Sequence, residues 1–201
     1  MTSREQQAWE LLKRHTVAEN VFPSFDEAVM RLAGEESLSI YLGIDPTAPS
    51  LHIGNTVPLF FLERIRRLGH RPTVLIGDFT ARIGDPTEKE SARKALLPQE
   101  IAQNMESYIG QIEKILPMDS FDVRYNSEWL AKMTLQDVVV LTGRVTVQKM
   151  LARDMFQRRM KEEKPIFLPE LLYPLMQGYD SVALKTDGEV GGNDQTFNML
   201  M

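Results

Sequence analysis

A polar turn that leads into a helix start is the first place in this sequence where chemistry could occur. Strand residues up to Gly43 run into Asp45-Pro46-Thr47, a turn in which Pro presets φ and Asp bonds its own backbone. His52, Gly54 and Asn55 then open an apolar-periodic helix, whose free N–H groups and positive dipole end suit a phosphate. These residues indicate an anion site; the alternative is an ordinary α/β connection with a stray histidine.

A second set of polar side chains recurs with helical spacing late in the chain. Tyr173, Gln177 and Asp180 are spaced i, i+4 and i+7, so they share one face of a helix that is otherwise rich in Leu and Met. Polar groups that are buried need hydrogen-bond partners. The row is therefore either a set of structural hydrogen bonds or a set of donors and acceptors facing a cavity, and periodicity alone does not separate the two.

The elements that must position these residues alternate between strand and helix. Segments 39–43 and 73–77 read as buried strands with a helix over 55–68 between them, and this spacing predicts a parallel pair. A polar segment, 79–94, lacks apolar periodicity and is expected to be a mobile loop. Further expectations are helices at the N-terminus, a helix over 99–116, a strand over 121–125, a helix from Pro169 to about Leu184, and a short strand at Glu189 before a glycine turn.

Length and composition are those of an ordinary globular protein. The 201 residues are 43% hydrophobic and 25% charged, which suffices for one domain with a substantial core. The sequence has no cysteine, which excludes thiolate metal sites, and no apolar run of membrane length or signal peptide. A net charge of −5 argues against bulk binding of polyanions. These features fit a cytoplasmic location and no membrane partner.

The stretch from Trp129 to Lys164 carries more apolar surface than one helix needs. Residues 135–141 are nearly all apolar, and 145–155 carry a second apolar face. Such a surplus is either a second layer of the core or a subunit interface. The sequence leaves both alternatives open.

Five short segments, in order over residues 40–200, resemble motifs of the tyrosyl-tRNA synthetases. The stretch from Gly43 to Gly54 is similar to the HIGH-type signature of class I synthetases, with Asn55 in place of its last histidine. The other four are Gly84-Asp85-Pro86, Asn126-Ser127-Glu128-Trp129, the Tyr-x-x-x-Gln-x-x-Asp motif of residues 173–180, and the Gly-Gly-x-Asp-Gln turn of residues 191–195. The resemblance implies a Rossmann-like parallel sheet flanked by helices, of the HUP type. Such a domain activates an amino acid with ATP and passes it to tRNA.

The resemblance implies a tyrosine pocket built by seven side chains: Asp180 and Tyr41 at the phenol hydroxyl, Tyr173, Asp85 and Gln177 at the ammonium group, Gln195 on the carboxylate side, and Asn126 closing the pocket. The chemistry of these residues is consistent with that assignment, because an ammonium group needs acceptors and carboxylate, amide and phenol oxygens supply them. Phenylalanine would leave the buried carboxylate of Asp180 short of a partner, so it should be rejected.

The resemblance also implies a nucleotide site lined by Gly43, Asp45, Gly54, Gly192 and Asp194, with Asp194 on the ribose. Thr47, His52 and Asn55 would meet phosphate and ribose oxygens, while Lys89 and Arg93 would fold over the pyrophosphate. The implied reaction is attack of the tyrosine carboxylate on the α-phosphorus of ATP, which needs alignment and charge stabilisation but no general base. Mg²⁺ would accompany ATP without a protein metal site.

By the same resemblance the chain divides into four parts: an N-terminal helical segment (1–36), a first βα half with the HIGH-type motif (37–126), a helical connection and dimer interface (127–168), and the tyrosine-binding helix with the glycine turn (169–201). Class I synthetases carry a KMSKS loop after that turn, and this sequence ends before such a loop or an anticodon-binding domain. We therefore expect an incomplete catalytic domain that binds tyrosine but activates it poorly.

The expected partners are L-tyrosine, ATP, tRNA(Tyr) and a second copy of the chain in a homodimer. Two alternatives remain: a tryptophan-specific synthetase of the same architecture, and a non-catalytic fragment that binds tyrosine or a nucleotide. A Rossmann dehydrogenase is disfavoured because no Gly-x-Gly-x-x-Gly follows the first strand.

Overall fold

A parallel sheet forms the centre of the molecule. The computed structural model describes residues 2–16, 18–88, 96–117 and 119–201, and in these residues the sheet has four strands in the order β3-β2-β1-β4. The strands are β1 (Ser39–Ile44), β2 (Arg71–Ile76), β3 (Asp122–Tyr125) and β4 (Gly188–Val190). Every neighbouring pair is parallel, so the predicted Rossmann-like fold class is confirmed.

The strand order reverses beside β1. The chain adds β2 and β3 on one side of β1, and then returns to place β4 on the other side. In open parallel sheets a crevice forms at such a reversal, outside the carboxyl ends of the strands. The topology therefore places a crevice between the ends of β1 and β4.

Helices connect the strands and cover the sheet. In the described residues they are α1 (Ser3–His15), α2 (Phe25–Ala33), α3 (Ile53–Arg67), α4 (Pro98–Met105), α5 (Tyr108–Ile112), α6 (Ser127–Leu130), α7 (Leu135–Thr142), α8 (Val147–Leu151), α9 (Asp154–Lys161), α10 (Leu168–Leu184) and α11 (Thr196–Met199). None of them is long and apolar enough to pass through a membrane.

The hydrophobic core lies between one face of the sheet and helices α1, α2, α3 and α5. Alternate residues of β1, Ile40, Leu42 and Ile44, point into it, as expected from the two-residue period of a strand. Tyr41 and Gly43 therefore face the other side of the sheet, where α10 lies. This alternation separates the residues that stabilise the fold from those available to a ligand.

Two predicted helices are broken in the structure. The helix expected over 99–116 is divided into α4 and α5, because Ser107 and Gln111 turn their side chains to the loop that precedes α3. Ser107 Oγ donates to the Pro49 carbonyl at 2.6 Å, and Gln111 Oε1 accepts from the Leu51 N–H at 2.9 Å. The helical stretch expected over 129–164 is likewise four short helices, α6 to α9.

Helix α7 is an apolar helix with no place in the core. All its residues are described, and each is half-buried or exposed; Leu135 is 81% exposed and Val139 62%. The alternative of a second core layer is therefore wrong for this segment. Met150 and Phe156, farther along the same stretch, are buried.

Candidate active site

A cavity of about 880 Å³ opens at the carboxyl ends of β1 and β4, where the strand order reverses. Fifteen of the residues predicted for the site line this one cavity: Tyr41, Gly43, Asp45, Thr47, His52, Gly54, Asn55, Asp85, Asn126, Tyr173, Gln177, Asp180, Gly192, Asp194 and Gln195. The other two, Lys89 and Arg93, lie outside the described residues. The cavity also extends past Phe61 toward Phe22 and Leu32, which the sequence did not predict.

Asp180 lies at the inner end of the cavity and is held by two donors. Its carboxylate is 3% exposed and accepts from Trp129 Nε1 at 2.7 Å and from Asn126 Nδ2 at 3.2 Å. Burial raises the Asp180 pKa to about 7; the charges of Asp45 and Glu189 add to this rise, while the two hydrogen bonds oppose it. A carboxylate has about four acceptor positions, so Asp180 retains capacity for a further donor.

Tyr41 lies close to this carboxylate but makes its hydrogen bonds elsewhere. Its hydroxyl is 2.7 Å from Ser181 Oγ, which in turn donates to the carboxylate of Glu189 at 3.5 Å. The side chain is 1% exposed, and burial raises its pKa well above the usual value. Tyr41 is therefore a neutral phenol whose position is fixed by α10 and β4.

A continuous set of hydrogen bonds joins α10 to the end of β1. Asn126 Nδ2, which bonds Asp180, also donates to Thr80 Oγ1 at 2.9 Å. Thr80 Oγ1 donates to Asp45 Oδ1 at 2.7 Å, and the Tyr173 hydroxyl donates to Asp45 Oδ2 at 3.0 Å. The network fixes two carboxylates and the helix face between them before any ligand arrives.

The acceptors predicted for an ammonium group are fixed in the same way. Asp85 accepts from the Thr87 N–H at 2.8 Å and from Gln195 Nε2 at 2.5 Å. Gln177 Nε2 donates to Glu189 Oε1 at 3.1 Å. The residues Tyr173, Asp85 and Gln177 thus come from α10 and the loop after β2 to line one part of the cavity.

The outer end of the cavity is more exposed. Gly43 is exposed although it lies inside a central strand, and a methyl group built on it would meet no atom within 4 Å. His52 precedes the first turn of α3, and its backbone N–H donates to Asn55 Oδ1 at 3.1 Å. Gly192 and Asp194 face this end from the turn after β4. Bare backbone beside a helix N-terminus is a surface that suits phosphate.

Acidic side chains predominate in the described lining of the cavity. Asp45, Asp85, Asp180 and Glu189 surround the inner part, and burial raises the pKa of Glu189 as it does that of Asp180. A cationic group of a ligand would relieve the repulsion among these carboxylates. The inner cavity therefore suits an ammonium ion, whereas the α3 terminus suits an anion.

Three participants are not predicted by the sequence: Thr80, Trp129 and Glu189. Trp129 belongs to a matched motif without an assigned role, and Thr80 lies in a segment expected to be mobile. The sequence predicts Glu189 only as a strand residue. Its polar side chain in a short strand was the one available signal, because strand interiors are seldom charged.

A family model for tRNA synthetases class I (W and Y) matches residues 33–201, which is most of the chain. The chain belongs to this family. Both of its amino acids, tryptophan and tyrosine, are aromatic, so the family assignment alone leaves the substrate open.

Among curated proteins, this family member is 50% identical over 190 residues to a tyrosine–tRNA ligase of Moorella thermoacetica, which covers 94% of the chain and 46% of that relative. It is also 52% identical over 164 residues to a tyrosine–tRNA ligase of Carboxydothermus hydrogenoformans. That match covers 82% of the chain and 40% of the relative. The chain thus spans less than half the length of these curated relatives.

Solved structures of the family have the same fold. A C-terminally truncated mitochondrial tyrosyl-tRNA synthetase of Aspergillus nidulans superposes with a TM-score of 0.82 at 28% identity, over 98% of this chain and 63% of that one. A tyrosyl-tRNA synthetase of Archaeoglobus fulgidus complexed with L-tyrosine gives 0.71 at 23% identity, over 96% and 57%. The second likeness shows the fold alone.

Proposed function

We propose that the cavity binds L-tyrosine and ATP, and that the protein containing this chain is a tyrosine–tRNA ligase. The observation that carries the proposal is the buried acceptor Asp180 at the inner end of a cavity that also holds the acidic cluster and the α3 N-terminus. The names of the relatives at about 50% identity support it. The chain spans less than half the length of these relatives, so the activity is proposed for the whole protein.

The bound tyrosine would lie with its phenol toward Asp180. The phenol O–H would donate to the remaining acceptor positions of the carboxylate, while Trp129 and Asn126 hold the carboxylate in place. The ammonium group would lie among Asp85, Gln177 and Tyr173. Gln195 would flank the carboxylate, which then points to the outer end of the cavity.

ATP would occupy that outer end as its Mg²⁺ complex, with its phosphates near Thr47, His52 and Asn55. The tyrosine carboxylate attacks the α-phosphorus, forming the acyl–phosphate bond of tyrosyl-adenylate as the bond to the pyrophosphate oxygen breaks. No proton needs to be removed from the nucleophile, because a carboxylate is ionised at neutral pH. Asp194 would hold the ribose, and Gly43 and Gly54 leave room for the nucleotide.

Transfer of the tyrosyl group to the terminal ribose of tRNA(Tyr) would complete the reaction, which places the protein in the cytoplasm with the translation apparatus.

We also assign the exposed apolar face of α7 to a homodimer interface. Leu135, Val139 and Val140 of α7, together with Val147 of α8, are more than half exposed. Contiguous apolar surface of this kind marks an interaction site in a soluble protein.

Isothermal calorimetry on the 201-residue chain tests the amino-acid site. We expect binding of L-tyrosine, with L-phenylalanine and L-tryptophan weaker by at least about tenfold, the effect of leaving one charge-assisted hydrogen bond unmade. Equal affinity for tyrosine and tryptophan would overturn the assignment of the phenol site and favour the tryptophan alternative.

ATP–pyrophosphate exchange tests the nucleotide site separately. We expect exchange with tyrosine to be detectable but weak in this chain, and His52→Ala to abolish it without changing tyrosine affinity. Tyrosine binding with no exchange at any ATP concentration would instead favour a non-catalytic binding fragment.

Sedimentation of the unsubstituted chain and of the Val139→Glu variant tests the dimer. The charge of the new glutamate on the apolar face of α7 should dissociate it.

A further inference from the structure

Glu189 is a half-buried carboxylate on β4 that the proposed reaction does not use. It lies opposite Tyr41 in the register between β1 and β4, on the side of the sheet that α10 covers. Its oxygens accept from Gln177 Nε2 at 3.1 Å and from Ser181 Oγ at 3.5 Å, and Ser181 Oγ lies 2.7 Å from the hydroxyl of Tyr41. Glu189 thus reaches two residues assigned to the tyrosine pocket, Gln177 directly and Tyr41 through Ser181.

The contact with Gln177 determines which end of its amide faces the cavity. A carboxylate only accepts hydrogen bonds, so the NH₂ group must turn to Glu189. The amide oxygen then points away from Glu189 and is available as an acceptor. Without the Glu189 carboxylate, the Gln177 amide could turn either its oxygen or its NH₂ group to the cavity.

The contact with Ser181 determines the polarity of the Tyr41 hydroxyl. Ser181 Oγ donates its one proton to the Glu189 carboxylate at 3.5 Å. The Tyr41 hydroxyl, 2.7 Å from the same Ser181 Oγ, must therefore donate its own proton to that serine. Toward the cavity, Tyr41 can therefore offer a lone pair but no proton.

We propose that Glu189 is a positioning residue that makes the amino-acid pocket accept hydrogen bonds at both ends, through Tyr41 at the inner end and Gln177 at the ammonium end. This inference rests on the proposed tyrosine site and adds the rule by which that site selects its ligand. Ligands that donate protons at the para position and at the α-position are favoured. The residue acts through its neighbours and touches no reacting atom.

Calorimetry with three ligands tests the proposal in the 201-residue chain and in Glu189→Gln. The ligands are L-tyrosine, 4-amino-L-phenylalanine, whose para group donates two protons, and 3-(4-hydroxyphenyl)propionate, which lacks the ammonium group. The glutamine has the same shape but can donate to Ser181 and Gln177, which frees Tyr41 and Gln177 to reorient. The matched control is Glu36→Gln, an exposed glutamate with no hydrogen bond to the cavity.

We expect Glu189→Gln to lower the affinity of 4-aminophenylalanine relative to tyrosine by about fivefold or more, because a Tyr41 proton would then face the amine. The advantage of tyrosine over the ligand without ammonium should fall by a similar factor. Both readouts are ratios, so a general loosening of the fold leaves them unchanged. Unchanged ratios in Glu189→Gln, with control values in Glu36→Gln, would overturn the proposal.

Two further measurements complete the test. In a Tyr41→Phe background, Glu189→Gln should no longer change the 4-aminophenylalanine ratio, and a change there would show that Glu189 does not act through Tyr41. If Glu189→Gln does not fold, the unsubstituted chain decides: 4-aminophenylalanine should bind within about tenfold of tyrosine, and binding no tighter than phenylalanine contradicts the proposal. A chain that binds no tyrosine refutes the proposed function itself, which these ratios do not do.

Discussion

At the inner end of the cavity, Asp180 and Asn126 are 3% and 1% exposed, and each is held by other side chains; at the outer end, His52 and Asp194 are exposed. The inner end is thus a preorganised site whose polar groups are oriented before binding. The outer end offers bare backbone at glycines and the terminus of a helix. This difference fits one ligand end recognised by shape and hydrogen bonds, and another recognised by charge.

The largest effect should come from Asp180→Asn, which removes the buried charge at the inner end of the cavity. The amide keeps one acceptor oxygen, so its NH₂ group must face one of the two donors, Trp129 or Asn126, and it loses the charge that accepts the phenol. We expect tyrosine affinity to fall by about 100-fold, since hydrogen bonds to charged groups contribute up to ~3 kcal/mol. Calorimetry measures this, with His52→Ala as the comparison at the outer end. A loss of tyrosine affinity in His52→Ala as great as in Asp180→Asn would contradict the division of the cavity.

The ligand-free chain should lose stability as pH rises, because of Asp180. Its folded pKa is raised from 3.8 to about 7, so the folded state holds the proton more tightly than the unfolded chain. The stabilisation is complete below about pH 4 and is lost as pH rises through about 7. The difference amounts to at most ~4 kcal/mol, at ~1.4 kcal/mol per pKa unit.

Urea denaturation of the chain and of Asp180→Asn at several pH values measures that contribution. Their free energies of unfolding should diverge with pH between about 4 and 7 and run parallel above it. Curves that stay parallel over the whole range would mean that Asp180 ionises in the folded state as it does in solution.

Thr80→Val removes one residue of the hydrogen-bond network at the inner end of the cavity. Valine has the shape of threonine but neither donates to Asp45 nor accepts from Asn126. We expect a loss of ~1–2 kcal/mol in stability and a severalfold loss in tyrosine affinity. Thr142→Val, at a half-buried position outside the cavity, is the control. Equal losses in the two variants would show that the network does not order the pocket.

Gly43→Ala should have the smallest effect on stability and the most selective effect on binding. A methyl group there meets no atom within 4 Å, and a strand favours alanine over glycine by only about 0.5–1 kcal/mol. The unfolding free energy should therefore stay the same or rise slightly. ATP affinity should fall by about tenfold because the methyl group occupies the cavity, while tyrosine affinity stays within about twofold. Weaker tyrosine binding and unchanged ATP binding would reverse the assignment of the two ends.

The sequence predicted the positions of the site residues better than their hydrogen bonds. Strand–turn–helix order and motif spacing, read with the family resemblance, assigned Asp45, His52 and Asp180 to one site, and all three line the cavity. Partners far apart in sequence were not predictable: Thr80 reaches Asp45 across 35 residues, and Trp129 reaches Asp180 across 51. Only the folded chain brings these groups together.

The same reason explains the errors in the helices. The apolar stripe over 99–116 was real, since Ile101, Tyr108 and Ile112 are buried. The break between α4 and α5 follows from side-chain bonds to the Pro49 loop, which no local pattern encodes. The sequence shows that α7 is apolar, but it does not show that the helix is exposed.

Strand β4 pairs with β1 only from Ile40 to Leu42, so the ladder on that side stops before Gly43. The nucleotide would lie beside Gly43 and Ile44, the last two residues of β1, which have no partner on β4. An insertion that lengthened β4 would therefore close the sheet over its own binding site, and the brevity of one strand keeps the entrance open.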